Sequence, residues 1–323
     1  MTTPGPSAAR PRLLVSRCLD LEACRYDGTV VEAPFVRMLA EHAELVPVCP
    51  EVAIGLGVPR DPIRIVVAED AGPGEGGGAR RLVQPSTGRD LTAEMERFAA
   101  GFAVSAGAID GAILKGRSPS CGNGDVKLFR SAIDEEPSAL GRGLFAGGLA
   151  ARRPGVPIVD EVAFEDRGAR EGFLTRVFSL ARLRAARATG TRAALTRFHA
   201  EHKLLLLALS ERVLRELGPL AAGRAGEALA FTWDAYAVRF VEALDAQPSA
   251  AGRANALMHA LGYFRGRAEA AARHELAERL ARQHRDEQAL EACASELRAW
   301  IVRHGEPYLG SQAFFWPYPE ALR

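Results

Sequence analysis

Three cysteines, Cys18, Cys49 and Cys121, each follow a short apolar run at a point where the chain turns. Cys18 ends PRLLVSRC, Cys49 lies in ELVPVCPE, and Cys121 sits in KGRSPSCGNG, directly after GAIL. A thiol needed only as a small hydrophobe belongs inside such a run. One placed just past it, among glycine, proline and serine, is in a loop at a strand end, where α/β proteins keep their chemistry. Reduced thiols ligate metals, hold iron–sulfur clusters or act as nucleophiles. Spacing leaves three readings open. The thiols are unpaired core cysteines; or, with Cys24 from the same loop as Cys18, they hold a structural zinc; or three of them hold a cluster. Zinc sites usually bring ligands in close C-x(2–4)-C pairs, and none occurs here. A cluster tolerates scattered ligands, and three thiolates on four irons leave one iron open to substrate.

Thiols so distant in sequence meet only if the elements before them end at one edge. PRLLVS, ELVPVCPE, Ile63–Glu69, AIDGAILK and VPIVDEV read as strands. Between them Val30–Ala43, Leu91–Ala106 (with Asp90 as N-cap) and LFAGGLAARR read as helices. Such alternation predicts an α/β, Rossmann-like, mostly parallel sheet with helices on both faces, whose C-terminal strand ends converge on one crevice. After Asp166 strand patterns stop, and FLTRVFSLARL, FHAEHKLLLLAL and LMHALGYF carry helical spacing. The expected organisation is a disordered tail over 1–10, an α/β domain over 11–166 and an all-α helical domain over 167–323. Gly218-Pro219, Gln247-Pro248 and Gly305–Pro307 read as turns between helices.

Composition narrows the classes. The 323 residues are 48% hydrophobic and 25% charged, ordinary for a soluble globular protein. Apolar runs stay well short of the ~20 residues that span a bilayer, and MTTPGPSAARPR lacks a secretory apolar core. Five cysteines, an odd number, argue against a disulfide framework and for a reducing cytoplasm. The net charge of +1 hides an asymmetry: residues 1–166 sum to −5 and residues 167–323 to +6.

Four segments in order, LLVSRCLDLEACRYDG, VPVCPEVAIGLGVPRDP, GRDLT and AILKGRSPSCG, resemble the thiouracil desulfidase family over roughly residues 12–162. Its members look like SxCLxGxxCRYDG, PxCPEVxGGLxTPRxP, GxDVT and LKxRSPSCG. The resemblance implies a [4Fe–4S] cluster held by Cys18, Cys49 and Cys121, whose fourth iron takes the sulfur of a thiocarbonyl. Cys24 also matches the pattern and could replace Cys18. Arg17, Ala53-Ile54, Val58 and Leu91 depart from it without removing a thiol or an acid. FHAEHK, LMHALGYF and SQAFFWPYP resemble the YbgA-like helical domain over roughly residues 190–320. Proteins that fuse the two look like desulfidases of 4-thiouridine in tRNA. Desulfidation of free thiouracil, or a non-catalytic metal or cluster role in sulfur trafficking, are the alternatives.

Replacing C=S by C=O needs an activated water and proton transfer but no net electrons. Glu51, two residues after Cys49, is the candidate proton-transfer residue, and Ser118 the hydroxyl that holds base or water. Lys115 either balances an anionic cluster or pairs with an acid, and Arg25 and Asp27 pair within the first loop. Gly72–Gly78 lacks the GK[ST] of a phosphate loop and reads as a surface loop. His199 and His202 have HxxH spacing without a third ligand, and His259 and Cys293 read as core. Between Gly172 and Ala200 stand Arg176, Arg182, Arg184, Arg187, Arg192 and Arg197 and no acid. Arginine suits phosphate, so the 172–200 stretch is the expected tRNA-docking surface.

Overall fold

The structure is a computed structural model and describes residues 5–67, 80–223 and 228–323. It divides into two compact units, Pro11–Phe173 and Leu174–Arg323, the second taking in the segment before Pro11.

In chain order the N-terminal unit holds β1 (Arg12–Ser16), α1 (Pro34–Ala40), β2 (Glu44–Val48), α2 (Pro50–Ala53), β3 (Arg64–Val67), β4 (Arg80–Gln84), β5 (Arg89–Asp90), α3 (Thr92–Ser105), β6 (Gly111–Leu114), β7 (Asn123–Phe129), β8 (Ala139–Arg142), α4 (Leu144–Arg152) and β9 (Ile158–Asp160). Four strands form a parallel sheet in the order β2-β1-β6-β9. Its inner residues Leu13, Leu14, Val15 and Ala112–Leu114 are fully buried, as a sheet covered on both faces requires. Strand order reverses at β1, so the crevice lies beyond the C-terminal ends of β1 and β6. Register sharpens this: Ser16 stands opposite Val48, Val15 opposite Ile113, and Leu114 opposite Asp160. The residues that follow these strands therefore emerge side by side.

The sequence predicts one largely parallel sheet; the described residues form two. β3 joins a mixed sheet of order β5-β4-β3-β7-β8, pairing antiparallel with β4 and parallel with β7. β7, NGDVKLF, begins in polar residues and a glycine, so its sequence reads as the tail of a loop. The helix expected over Val30–Ala43 is trimmed to Pro34–Ala40. Proline fits the first helical turn, and Val31 is occupied by a parallel bridge to Leu19. Asp90 is not the N-cap of α3; that position is Leu91, while the Asp90 carboxylate accepts from the amide and hydroxyl of Thr92. The glycine-rich stretch Gly72–Gly78 lies outside the described residues.

Helices α5 (Arg167–Ala188), α6 (Arg192–Leu209), α7 (Glu211–Ala222), α8 (Leu229–Asp245), α9 (Ala250–Gly262), α10 (Ala270–Arg282), α11 (Glu287–His304) and α12 (Pro307–Gly310) follow, and the division between units falls inside α5. Thr191, Ser210, Ser249 and Asp286 cap α6, α7, α9 and α11 by accepting amides of the first turn. Gly305 closes α11 in the left-handed conformation. Gly218-Pro219, expected as a turn, instead lies within α7. The segment expected as a disordered tail is bound from Gly5 onward: the Gly5 amide donates to Gly310 O at 2.7 Å and Ser7 to the Glu201 carboxylate. No helix among the described residues is long and apolar enough to cross a membrane.

Candidate functional site

The loops after β1, β2 and β6 bring four cysteines together. Cys24 and Cys121 are buried, Cys18 and Cys49 half-buried, and all are free thiols. Burial pushes the Cys18 thiol up to about 11, with the nearby Cys49 adding to it and Lys115 opposing. Burial likewise raises Cys24 to about 12, with Cys49 and Cys18 adding. Cys121, 4% exposed, is held well above the usual thiol range by burial. A hydrogen bond from Ser16, and repulsion from Glu51, Cys18 and Cys49, modify it. Cys18 and Cys49 interact with both Cys24 and Cys121, so the three predicted ligands and Cys24 share one electrostatic neighbourhood.

The loop carrying Cys121 is fixed by its surroundings. Arg117, at φ 60°, is in the left-handed region that side chains disfavour, and its amide donates to Asp125 Oδ1 at 2.9 Å. Leu144 N and Ala146 N, orphan donors of the first turn of α4, donate to Pro119 O and Ser120 O at 3.0 and 3.1 Å. Gly143 is required there, since a Cβ would stand 2.5 Å from Ser120 O.

Glu51, at the start of α2, is 9% exposed, and both its oxygens are engaged. Arg60 holds Oε2 through Nη2 at 2.8 Å and Nε at 2.9 Å. Ser120 and Ser118 donate to Oε1 at 3.0 and 3.3 Å. Ser118 Oγ in turn accepts from the amides of Ser120 and Cys121, each at 3.2 Å. Arg60 Nη1 also donates to the carbonyls of Cys24 and Gly57, both at 3.1 Å, so one guanidinium ties the first cysteine loop to the carboxylate. Lys115 pairs with Glu161 while remaining near Cys18, and Arg25 pairs with Asp27 at 2.7 Å. Arg60, Ser16 and Glu161 escaped the sequence reading. Arg60 lies inside VPRDP, where nothing in the local pattern marks a partner, and only the fold reveals the other two.

These residues suit an inorganic group held by thiolates. Among the described residues no three Cys, His, Asp or Glu side chains gather as ligands of a single ion, which would need all donors about 2.3 Å from one point. Thiolates on a polynuclear cluster each bind a different iron and need no common centre. Four neighbouring thiols with Lys115 close to Cys18 are a donor set that fits a cluster.

In the helical unit the expected tRNA-docking stretch is largely spoken for. Arg182 is 7% exposed and so cannot face a polymer phosphate. Arg176 and Arg187 pair with Asp245 and Asp234; Arg184 and Arg192 donate to Arg10 O and Leu220 O, at 3.1 and 3.0 Å. Arg197 is exposed. The sequence shows the charges but not their partners, which come from α7, α8 and the N-terminal segment. His199 and His202 do not form a ligand pair: His199 Nδ1 meets Tyr236 Oη at 3.1 Å and His202 Nδ1 meets Phe198 O at 2.9 Å.

The N-terminal unit is thus an α/β unit with four thiols and an arginine-clamped carboxylate beyond the ends of its parallel strands. Residues 13–161 match the family described as 2-thiouracil desulfurase, and residues 203–319 match a family of unknown function, DUF1722. The uncharacterized protein YbgA of Escherichia coli is 32% identical over 151 residues, covering 46% of this chain and 89% of that protein. The uncharacterized protein YbbK of Bacillus subtilis is 36% identical over 118 residues, covering 35% of this chain and 75% of that one. Among solved structures, the [4Fe-4S]-dependent thiouracil desulfidase TudS is 31% identical, covering 48% of this chain and 94% of its own, with a TM-score of 0.37. The chain belongs to the 2-thiouracil desulfurase family through its N-terminal unit and to the YbgA-like DUF1722 family through its helical unit.

Proposed function

We propose that the protein is a [4Fe–4S]-dependent, non-redox desulfidase that hydrolyses a thiocarbonyl pyrimidine, 4-thiouridine in tRNA being its substrate, with release of hydrosulfide. The observation that carries this reading is the meeting of Cys18, Cys49 and Cys121 with the Glu51–Ser118–Ser120 group in one crevice. Cys18, Cys49 and Cys121 would hold the cluster, with Cys24 beside them. The open iron of the bound cluster supplies a thiophilic Lewis acid.

The chain's own residues supply proton management. One water adds to the ring carbon and the C–S bond breaks, so C=S and H2O become C=O, hydrosulfide and a proton. Glu51 takes the proton that this water gives up, its carboxylate positioned by the Ser118 and Ser120 hydroxyls, which donate to Oε1 at 3.3 and 3.0 Å. Arg60 keeps the carboxylate turned toward the serines, and Ser120, fully buried, holds the same oxygen from the other side. Free, reduced thiols fit a cytoplasmic setting.

Anaerobic incubation of reconstituted protein with bulk tRNA, followed by nucleoside analysis, and in parallel with free 4-thiouracil, tests the reading. Loss of 4-thiouridine from tRNA supports it. Turnover of the free base alone leaves the crevice chemistry standing and removes tRNA, as the engaged arginines of the helical unit would then explain. No sulfide from either substrate overturns the function.

A further inference from the structure

In the helical unit, residues 263–268, between α9 and α10, lie against residues 303–308 at the end of α11. Three contacts hold the two segments together. The Tyr263 and Tyr308 rings stack with centroids 5.0 Å apart and 16° between their planes. The Phe264 and His304 rings meet at 5.8 Å, and Arg267 Nη1 stands 3.7 Å from Glu306 Oε1. Buried anchors decide which side chains turn outward. Phe264 is fully buried and meets Trp300 edge-on at 5.4 Å, and Leu309 is fully buried in the same core. Tyr263 and Arg265, on either side of Phe264, are left at the surface, and Gly266, at φ 77°, supplies the left-handed turn that leads on toward α10.

The result is an aromatic ring among cations. Tyr263 is backed by Tyr308 yet 45% exposed, so the ring is held in place and still offers surface to solvent. Arg265 and Arg303 are exposed and meet no carboxylate among the described residues. The nearby acid Glu306 is 7% exposed and already engaged: it accepts the Leu309 amide at 2.7 Å and faces Arg267. The face therefore carries unneutralised positive charge beside a flat, immobilised π-surface.

We propose that Tyr263, Arg265 and Arg303, with Tyr308 as backing, form a docking platform for unpaired nucleotides of an RNA. A base lies on the Tyr263 ring, and the two guanidinium groups take the phosphates beside it. Alternating bases and phosphates match this alternation of ring and charge, whereas an acidic peptide would use the arginines and leave the tyrosine idle. The strand is RNA because the proposal rests on the reading of tRNA as the substrate. It gives that substrate a contact surface that the 172–200 stretch, its arginines largely engaged within the chain, does not provide.

The test titrates full-length protein into a labelled oligouridylate and reads fluorescence anisotropy over a series of sodium chloride concentrations. Tyr263→Leu keeps apolar bulk but loses the ring, and should weaken binding ~10-fold at every salt concentration without changing the salt dependence. Tyr263→Phe keeps the ring and should bind as the unaltered chain does. Arg265→Gln/Arg303→Gln should weaken binding and flatten the logarithmic salt slope by ~1–2. The substituted side chains reach solvent, so the variants should fold; Tyr263→Gln carries the comparison if Tyr263→Leu does not. No binding of the oligouridylate, or an affinity unchanged by the tyrosine and arginine substitutions alike, overturns the proposal. Loss in the arginine variant alone also overturns it, leaving an unselective basic surface. Because the readout is binding, RNA held by these side chains but not desulfurised would fault the desulfidase reading and leave the platform standing.

Discussion

Arg60→Met should loosen the crevice more than any surface arginine change. The Arg60 side chain is 6% exposed and holds Glu51 Oε2 at 2.8 and 2.9 Å. Its removal leaves a buried carboxylate facing only two serine hydroxyls, and the Cys24 carbonyl with only the weak Cys49 Sγ donor at 3.9 Å. Removing one partner of such a pair costs about 3–5 kcal/mol, because the remaining charge is buried and uncompensated. At 1.36 kcal/mol per factor of ten, local opening becomes roughly 10²–10⁴ times more frequent. The three tryptophans, Trp233, Trp300 and Trp316, all lie in the helical unit, so fluorescence does not see this region. Amide hydrogen exchange of cluster-free protein, read over residues 49–53 and 114–121, does. The double variant Arg60→Met/Glu51→Gln should recover most of the loss, since neither charge remains. Exchange in Arg60→Met within tenfold of the unaltered protein would refute the reasoning and reduce the pair to the weight of a surface salt bridge.

Glu51→Gln keeps size and most hydrogen bonds but cannot take a proton, so iron content should stay unchanged while turnover falls ~100-fold or more; near-normal turnover would make Glu51 a turn residue. Gly143→Ala places a methyl against the Ser120 backbone and should destabilise the N-terminal unit by about 1–3 kcal/mol in chemical denaturation followed by circular dichroism. Gly147→Ala is the control, its nearest neighbour being Arg142 Cδ at 4.0 Å, and should cost nothing. Burial holds His199 at about 4 and His202 at about 3, below the ordinary value of 6.5. With folded values depressed, their stabilisation is full above pH 6.5 and is lost as pH falls toward those values. Between pH 7.5 and 5 the loss is about 2 kcal/mol per histidine, read by tryptophan fluorescence in urea and absent for a histidine replaced by glutamine.

The parallel sheet and its thiols were legible because their signals are local. Apolar runs ending in a cysteine announce a strand and the loop beyond it, and PRLLVS, GAIL and PIVD all lie where their composition places them. The second sheet was not, because β4 and β7 open on charged or polar residues and are strands only by virtue of the neighbours they pair with. The same distinction runs through the site. Glu51 stands out by its place beside Cys49, whereas Arg60 and Ser16 acquire meaning only when loops distant in sequence close on one carboxylate and one thiol. The arginine stretch shows the opposite failure: a run without acids reads as an open basic face, but its counter-charges, Asp234 and Asp245, come from α8.

Sulfide released from free 4-thiouracil by anaerobically reconstituted protein, measured for the unaltered chain beside Cys121→Ala and Cys293→Ala, tests the central claim most directly. The expected result is catalytic sulfide release from the unaltered chain and from Cys293→Ala, whose thiol is buried in the core of the helical unit, and none from Cys121→Ala. Undiminished release from Cys121→Ala would contradict the claim that these thiols hold the catalytic group.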